Sequence, residues 1–266
     1  MSLLLVVLGL LSLAFLAGVL IYVCVSFMHL QAHAPARPPG ATLRAVAREI
    51  GWALLVQPLL PLCYVVGRRM GGVAGRRPIV LVHGYMQNRV DFLALARALA
   101  RGGAGPLFGF NYAWWQDVDR SAARLGRFVE SVRAETRCAD VDLVCHSLGG
   151  LVAMSYLTHG GGPRVRRLVT IASPHGGVAW RGPIPGQSAP HLRADDELGL
   201  RALRRVPVPT LSIFSTHDNV VHPAATSSIV ARGGTDLVVE APGHLTILFS
   251  REVHAAVRDF LLGDAK

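Results

Sequence analysis

The chain has 266 residues, 51% of them apolar and 17% charged, with four cysteines and a net charge of +10. That length suits one ordinary domain with an appendage, and the apolar content excludes intrinsic disorder, collagen-like repeats and a disulfide scaffold. All but one of the 27 basic residues (Lys266) are arginine, and no nucleic-acid-binding motif accompanies them, so the charge does not argue for a nucleic-acid partner.

From Leu3 to Met28 no charged residue occurs. A helix over that stretch reaches roughly 39 Å, enough to cross a hydrocarbon core of about 30 Å. A cleaved signal peptide would show basic residues before a shorter apolar run. Here no Lys or Arg precedes the run, although Gln31-Ala32-His33-Ala34 could mimic a cleavage site. A transmembrane helix is therefore expected. Residues 1–77 carry seven Arg and one Glu, whereas 78–266 carry twenty basic and sixteen acidic residues. The basic excess thus sits beside the apolar run, where anionic lipid headgroups favour it.

Arg37, Arg44 and Arg48 follow the run, and the positive-inside rule then puts the rest of the chain on the cytoplasmic face, in a bacterial inner membrane. A second apolar stretch, Ile50 to Val66, contains Gln57, Pro58 and Pro61. It reads either as a kinked second span, which would reverse the sidedness, or as an interfacial helix, which is preferred, and the sidedness stays open.

Beyond Arg76 short apolar runs alternate with amphipathic stretches. Strands are expected at Pro78–Val82, Leu107–Tyr112, Val141–Cys145, Val165–Ala172, Pro207–Phe214 and Asp236–Glu240. Helices are expected at Val90–Leu99, Ser121–Val132, Leu148–Leu157 and Leu245–Leu262. This alternation implies an α/β fold, a mainly parallel sheet with helices on both faces. Cys138 and Cys145 flank a strand whose length of roughly 23 Å forbids a disulfide, and all four cysteines are read as free thiols.

Chemistry gathers at the ends of these strands. Val144-Cys145-His146-Ser147-Leu148-Gly149-Gly150 places a serine between a buried strand and a helix, with small residues that permit a sharp turn. Such a turn lifts Ser147 Oγ clear of the backbone and leaves the Leu148 N–H facing any oxyanion formed there. The bland alternative is a serine capping a helix. Upstream, His83-Gly84-Tyr85 follows a strand, and the Tyr85 N–H can supply a second oxyanion donor. Downstream, Asp218 lies just past one strand and His244 just past the next. The order Ser…Asp…His, each on a loop after a strand, is what a triad on this scaffold needs.

Competing histidines fit the pattern less well. His222 lies only four residues past Asp218, and His254 falls inside the last expected helix. His159, His175, His191 and His217 do not follow the strand after the acid. Asp195, Asp196 and Glu197 read as the start of a solvated helix, and Asp236 opens a strand. Cys145 as a thiol nucleophile is disfavoured by its buried strand position. No metal is expected, because His29/His33 and His217/His222 each lack further ligands.

The segments Val80-Leu81-Val82-His83-Gly84-Tyr85, Cys145-His146-Ser147-Leu148-Gly149-Gly150, Ala172-Ser173-Pro174-His175-Gly176-Gly177 and Pro242-Gly243-His244 resemble bacterial lipases and esterases of the α/β-hydrolase superfamily. The resemblance spans about residues 78–262 and departs from the usual pentapeptide in having Cys145 for its first glycine. It implies an α/β-hydrolase fold, no cofactor, and hydrolysis of acyl esters through an acyl-serine, while the short connection from Ala172 to Pro209 leaves room for only a minimal lid. It also implies an oxyanion hole of the Tyr85 and Leu148 amides, and a pocket wall shaped by Ser173–Gly177.

The expected organisation is thus a membrane anchor over 1–77 and a catalytic domain over 78–266, meeting a lipid or small acyl-ester substrate. An acyltransferase or thioesterase with the same triad, and a silent lipid- or protein-binding scaffold, are the alternatives. Trp180, Ile184, Pro185 and Leu192 form a short apolar flap or an ordinary loop. Asn111–Trp115 either line an acyl pocket or belong to the core.

Overall fold

Residues 3–34, 37–193 and 205–263 are described by the computed structural model, so the helix start expected at Asp195–Glu197 lies outside the described residues. Among these, six strands form one sheet: β1 (Ile79–Val82), β2 (Leu107–Phe110), β3 (Val141–His146), β4 (Val165–Ile171), β5 (Thr210–Ser215) and β6 (Thr235–Val239). Their order is β2-β1-β3-β4-β5-β6, and every neighbouring pair is parallel.

The two-residue side-chain period of the strands divides the core. Val80, Val82, Leu143 and Cys145 pack on one face with Ala122, Leu125 and Val129 of α4 (Val118–Thr136) and Leu151 of α5 (Leu148–Tyr156). Ile79, Leu81 and Val144 face the opposite way, against Leu95 and Leu99 of α3 (Leu93–Arg101) and Val253, Val257 and Leu261 of α7 (Arg251–Leu262). Both faces are therefore covered, which is why the strands read as unbroken apolar runs.

Among the boundaries that differ from the sequence reading, three have a clear physical cause or consequence. The last helix is not continuous from Leu245: a short 3-10 turn spans Thr246–Phe249, and Ser250 then caps α7 by accepting from the Val253 amide. Strand β5 starts at Thr210 instead of Pro207, since neither Pro207 nor Pro209 has an N–H for the ladder. Strand β2 stops at Phe110, and Tyr112 turns inward to stack on His83 with ring centroids 4.3 Å apart.

Two helices precede the sheet, α1 (Leu3–His33) and α2 (Pro39–Val56), the latter prolonged by a 3-10 segment at Gln57–Tyr64. α2 begins well before the apolar stretch expected at Ile50, with Pro39 in its first turn, where a missing N–H costs nothing. It buries the stripe Thr42, Ala45, Glu49, Ala53 and Val56. α1 is apolar along most of its length, and its most apolar 18-residue window has a mean hydropathy of 2.6. Its residues from Leu5 to Tyr22 are mostly exposed, whereas Val23, Phe27 and Leu30 are buried in a cluster with Ala45 of α2. Arg68 to Gly71 then run along β2, with the Met70 amide donating to the Leu107 carbonyl and the Leu107 amide to the Gly71 carbonyl, each at 2.8 Å.

Candidate active site

Ser147 links β3 to α5 with φ 51° and ψ −124°, a conformation that L residues avoid and that only surrounding contacts can hold. Its amide donates to the Ile171 carbonyl of β4 at 2.9 Å, which pins the turn to the sheet. α5 must then pass close to β1. A Cβ at Gly149 would overlap the Val82 carbonyl oxygen, and one at Gly150 would overlap Ser173 Oγ, so the glycines are steric requirements. Leu148 is the first residue of α5, and an amide at that position has no intrahelical acceptor. Cys145 is fully buried in the sheet, and burial pushes its thiol above the ordinary range, which leaves it protonated.

Asp218 follows β5 and His244 follows β6, so both loops open at the C-terminal edge of the sheet beside Ser147. His244 Nε2 lies 3.0 Å from Ser147 Oγ, and its Nδ1 lies 2.9 Å from Asp218 Oδ2. Asp218 is 2% exposed, and its Oδ1 also accepts from the Val220 and Val221 amides at 2.8 and 2.7 Å. Those bonds orient the carboxylate towards the imidazole. Burial works against a charged His244, but the charge and hydrogen bond of Asp218, with a further contribution from Glu49, outweigh it, and the pKa lies above the ordinary histidine value. The three residues singled out from sequence are thus brought within hydrogen-bonding reach of one another.

Tyr85 sits in the turn after β1, with Gly84 packed against Ser147: a Cβ at Gly84 would come 2.8 Å from Ser147 Cβ. The Gly84 amide donates to Gln87 Oε1 at 3.0 Å, and Gln87 Oε1 is also 2.7 Å from His146 Nδ1. His146 Nε2 in turn lies 3.0 Å from the His244 carbonyl. Gln87 and His146 therefore tie the Tyr85 turn to the His244 loop, a link the sequence reading did not find. The Tyr85 hydroxyl donates to the Pro185 carbonyl at 2.6 Å, and its ring meets Trp114 edge-on. Ser188 Oγ donates to the Trp114 carbonyl. The stretch containing Ile184 and Pro185 is thereby laid across the Tyr85 turn, with Ile184 and with Leu192 of α6 (Ala189–Leu192) packed on the core. Of the aromatic run, Tyr112 is core, Trp114 borders Tyr85 and Trp115 is exposed.

The second finding beyond the sequence reading is Glu49, the lone acid among residues 1–77. It is 3% exposed, and its carboxylate accepts from the Leu245 amide at 2.6 Å and the Thr246 amide at 3.1 Å, immediately after His244. A Cβ at Gly243 would come 2.5 Å from Glu49 Oε2, so the loop approaches this carboxylate through a glycine. On the same helix Trp52 stacks on Phe249 at 3.8 Å. Asn219 Oδ1 accepts from the His244 amide at 3.0 Å, while Asn219 Nδ2 donates to Ser26 Oγ of α1 at 2.7 Å. Arg37 hydrogen-bonds Thr216 Oγ1. The helical hairpin thus buttresses both loops that carry Asp218 and His244.

The architecture can be compared with known proteins. An Aspergillus fumigatus lipase B structure superposes with a TM-score of 0.62 at 21% identity, covering 72% of this chain and 54% of that one. A Bacillus licheniformis lipase in its mature form gives a TM-score of 0.59 at 16% identity, covering 72% of this chain and 94% of that one. The chain has the α/β-hydrolase fold. The model of a PGAP1-like alpha/beta domain matches residues 127–181, a stretch of this hydrolase fold that includes Ser147 but neither Asp218 nor His244. A triacylglycerol lipase of Burkholderia plantarii is 29% identical over 152 residues, covering 50% of this chain and 41% of that protein. The α/β-hydrolase chain therefore spans less than half the length of that curated relative.

Proposed function

We propose that the protein is a membrane-anchored serine hydrolase that cleaves carboxylic esters, with lipid acyl esters as the substrate class. The observation that carries this reading is the continuous chain of contacts from Ser147 Oγ through His244 to Asp218. In the reaction, Ser147 Oγ attacks the ester carbonyl while His244 Nε2 takes its proton. Asp218 holds the Nδ1–H tautomer and stabilises the imidazolium. The Leu148 and Tyr85 amides donate hydrogen bonds to the developing oxyanion. As the tetrahedral intermediate collapses, the imidazolium gives its proton to the departing alcohol. Water, deprotonated by the same His244, then cleaves the acyl-serine. Glu49 acts as a positioning residue: it holds the backbone that follows His244 and adds to the field favouring the imidazolium.

Anchoring rests on the dimensions and packing of α1. Its 31 residues reach roughly 46 Å against a hydrocarbon core of about 30 Å. The part from Val23 onward is the part that packs on α2 and on the loops around Ser147. The segment up to Tyr22 therefore crosses the bilayer, and the last turns of α1 dock on the domain. α2 lies along the interface, since its Glu49 is held by the catalytic domain. Lipase relatives at this level of similarity suggest the ester class.

The test is hydrolysis of chromogenic acyl esters of increasing chain length by the detergent-solubilised full chain, with Ser147→Ala as blank. Activity abolished in the blank, with a preference for longer chains, supports the reading. Activity retained in the blank, or none at any length, refutes it.

A further inference from the structure

Sequence order separates His29 and His33 from His222 by almost the whole fold, yet the structure gathers all three. One ring nitrogen from each lies within 4.8 Å of the other two. His29 and His33, four residues apart, share one face of the last turns of α1. His222 arrives on the loop after β5 and is 3% exposed. His29 Nδ1 is 2.6 Å from His222 Nε2, and the ring centroids of His29 and His33 are 4.2 Å apart. We propose that His29, His33 and His222 bind one first-row divalent cation of the zinc class, which clips the end of α1 to the loop carrying Asp218.

Three features favour a cation over a simple pair of hydrogen-bonded rings. A hydrogen bond between His29 and His222 engages two imidazoles and does not involve the third, although its ring stacks on His29. The third is already prepared: His33 Nδ1 donates to the His29 carbonyl at 2.8 Å, which fixes the tautomer that leaves Nε2 with its lone pair. A backbone carbonyl on the distal nitrogen is the usual outer partner of a metal-bound histidine. The donor set is imidazole alone, which suits zinc, cobalt, nickel or copper and not calcium or magnesium.

The dimensions are compatible. Zinc–nitrogen bonds of about 2.0–2.1 Å at tetrahedral angles put the nitrogens about 3.3 Å apart. The close pair would open slightly and the wider separations would close, movements within the rotamer freedom of the exposed His33. Three protein ligands leave a fourth position for water.

The location gives the site a consequence. Val220 and Val221, the two residues before His222, donate to Asp218 Oδ1. A cation on His222 therefore fixes the chain next to the segment that orients Asp218, and ties it to the anchor helix. Cation binding at this cluster does not depend on ester cleavage.

The test uses the full chain in detergent micelles, purified through a tag without histidine, stripped with a chelator and kept reduced. Cobalt(II) chloride is titrated first and zinc(II) chloride is then used to displace it. The expected result is one equivalent of cobalt with visible bands of tetrahedral intensity, no thiolate charge-transfer band, and full displacement by one equivalent of zinc. His29→Ala and His33→Ala should each weaken binding by more than about 100-fold, beyond the 10–100-fold typical of losing an outer partner. Both changes lie on exposed or half-exposed positions of a helix, so circular dichroism should be unchanged. Absence of stoichiometric binding, a thiolate band, or affinity undiminished by either substitution overturns the proposal.

Discussion

Replacing Glu49 by glutamine isolates what the anchor hairpin contributes to the site. The carboxylate satisfies two buried amides, Leu245 N through Oε1 and Thr246 N through Oε2. Glutamine keeps the shape but offers one acceptor oxygen, so an amide NH2 must face one of the two N–H groups. A hydrogen bond to a charged group contributes about 1.5–3 kcal/mol, so the loss is on the order of 2 kcal/mol. For a domain of this size that lowers Tm by roughly 4–8 °C.

The chemistry should suffer separately. The two amides belong to the residues directly after His244, and a displacement of about 1 Å at a reacting group can cost on the order of 100-fold. We expect kcat for ester cleavage to fall about 10- to 100-fold with KM little changed. Glu49 also raises the His244 pKa. Because His244 must be neutral to act as base, its protonation sets the acid limb of kcat/KM, and that limb should move to lower pH in Glu49→Gln. Glu49→Asp, which keeps the charge, should retain most of the limb's position. A pH–rate series on the two variants and the wild type, with melting curves, decides the matter. Unchanged kcat together with an unmoved acid limb would refute the positioning role.

Two further outcomes follow from the same geometry. Asp218→Asn removes the largest attraction on a charged His244 and leaves the wrong tautomer, so turnover should drop roughly 10⁴-fold and the acid limb should shift down, with the folded state retained. Steady-state kinetics against pH, beside a melting curve, test this. Gly149→Ala puts a methyl into the Val82 carbonyl, so the elbow cannot form without moving β1 or α5; loss of activity and of thermal stability together are expected, read by assay and calorimetry.

Much of this arrangement was legible in the sequence because it is local. The apolar run Ile79–Val82, the serine between β3 and α5, and the acid and histidine after successive strands are each decided within a few residues. What stayed hidden depends on contacts across the chain. Glu49 sits in a segment that reads as a basic, amphipathic flank, and its partners lie about two hundred positions later; only its being the one acid before residue 78 set it apart. Asn219 resembles any turn residue until Ser26 and the His244 amide are both in view. The two histidine pairs, read separately, each lacked ligands, and folding draws the third ring from the other pair. The break at Ser250 was masked because Leu245–Leu262 keeps helical spacing through a residue that prefers to cap.

The central claim is that Ser147 is the acyl-accepting nucleophile, activated by His244. A serine-directed fluorophosphonate probe, applied to the solubilised full chain and mapped by mass spectrometry, tests it most directly. The account predicts one adduct on Ser147, absent in Ser147→Ala and formed orders of magnitude more slowly in His244→Ala. An adduct on another residue, labelling undiminished in Ser147→Ala, or no adduct at all would contradict it.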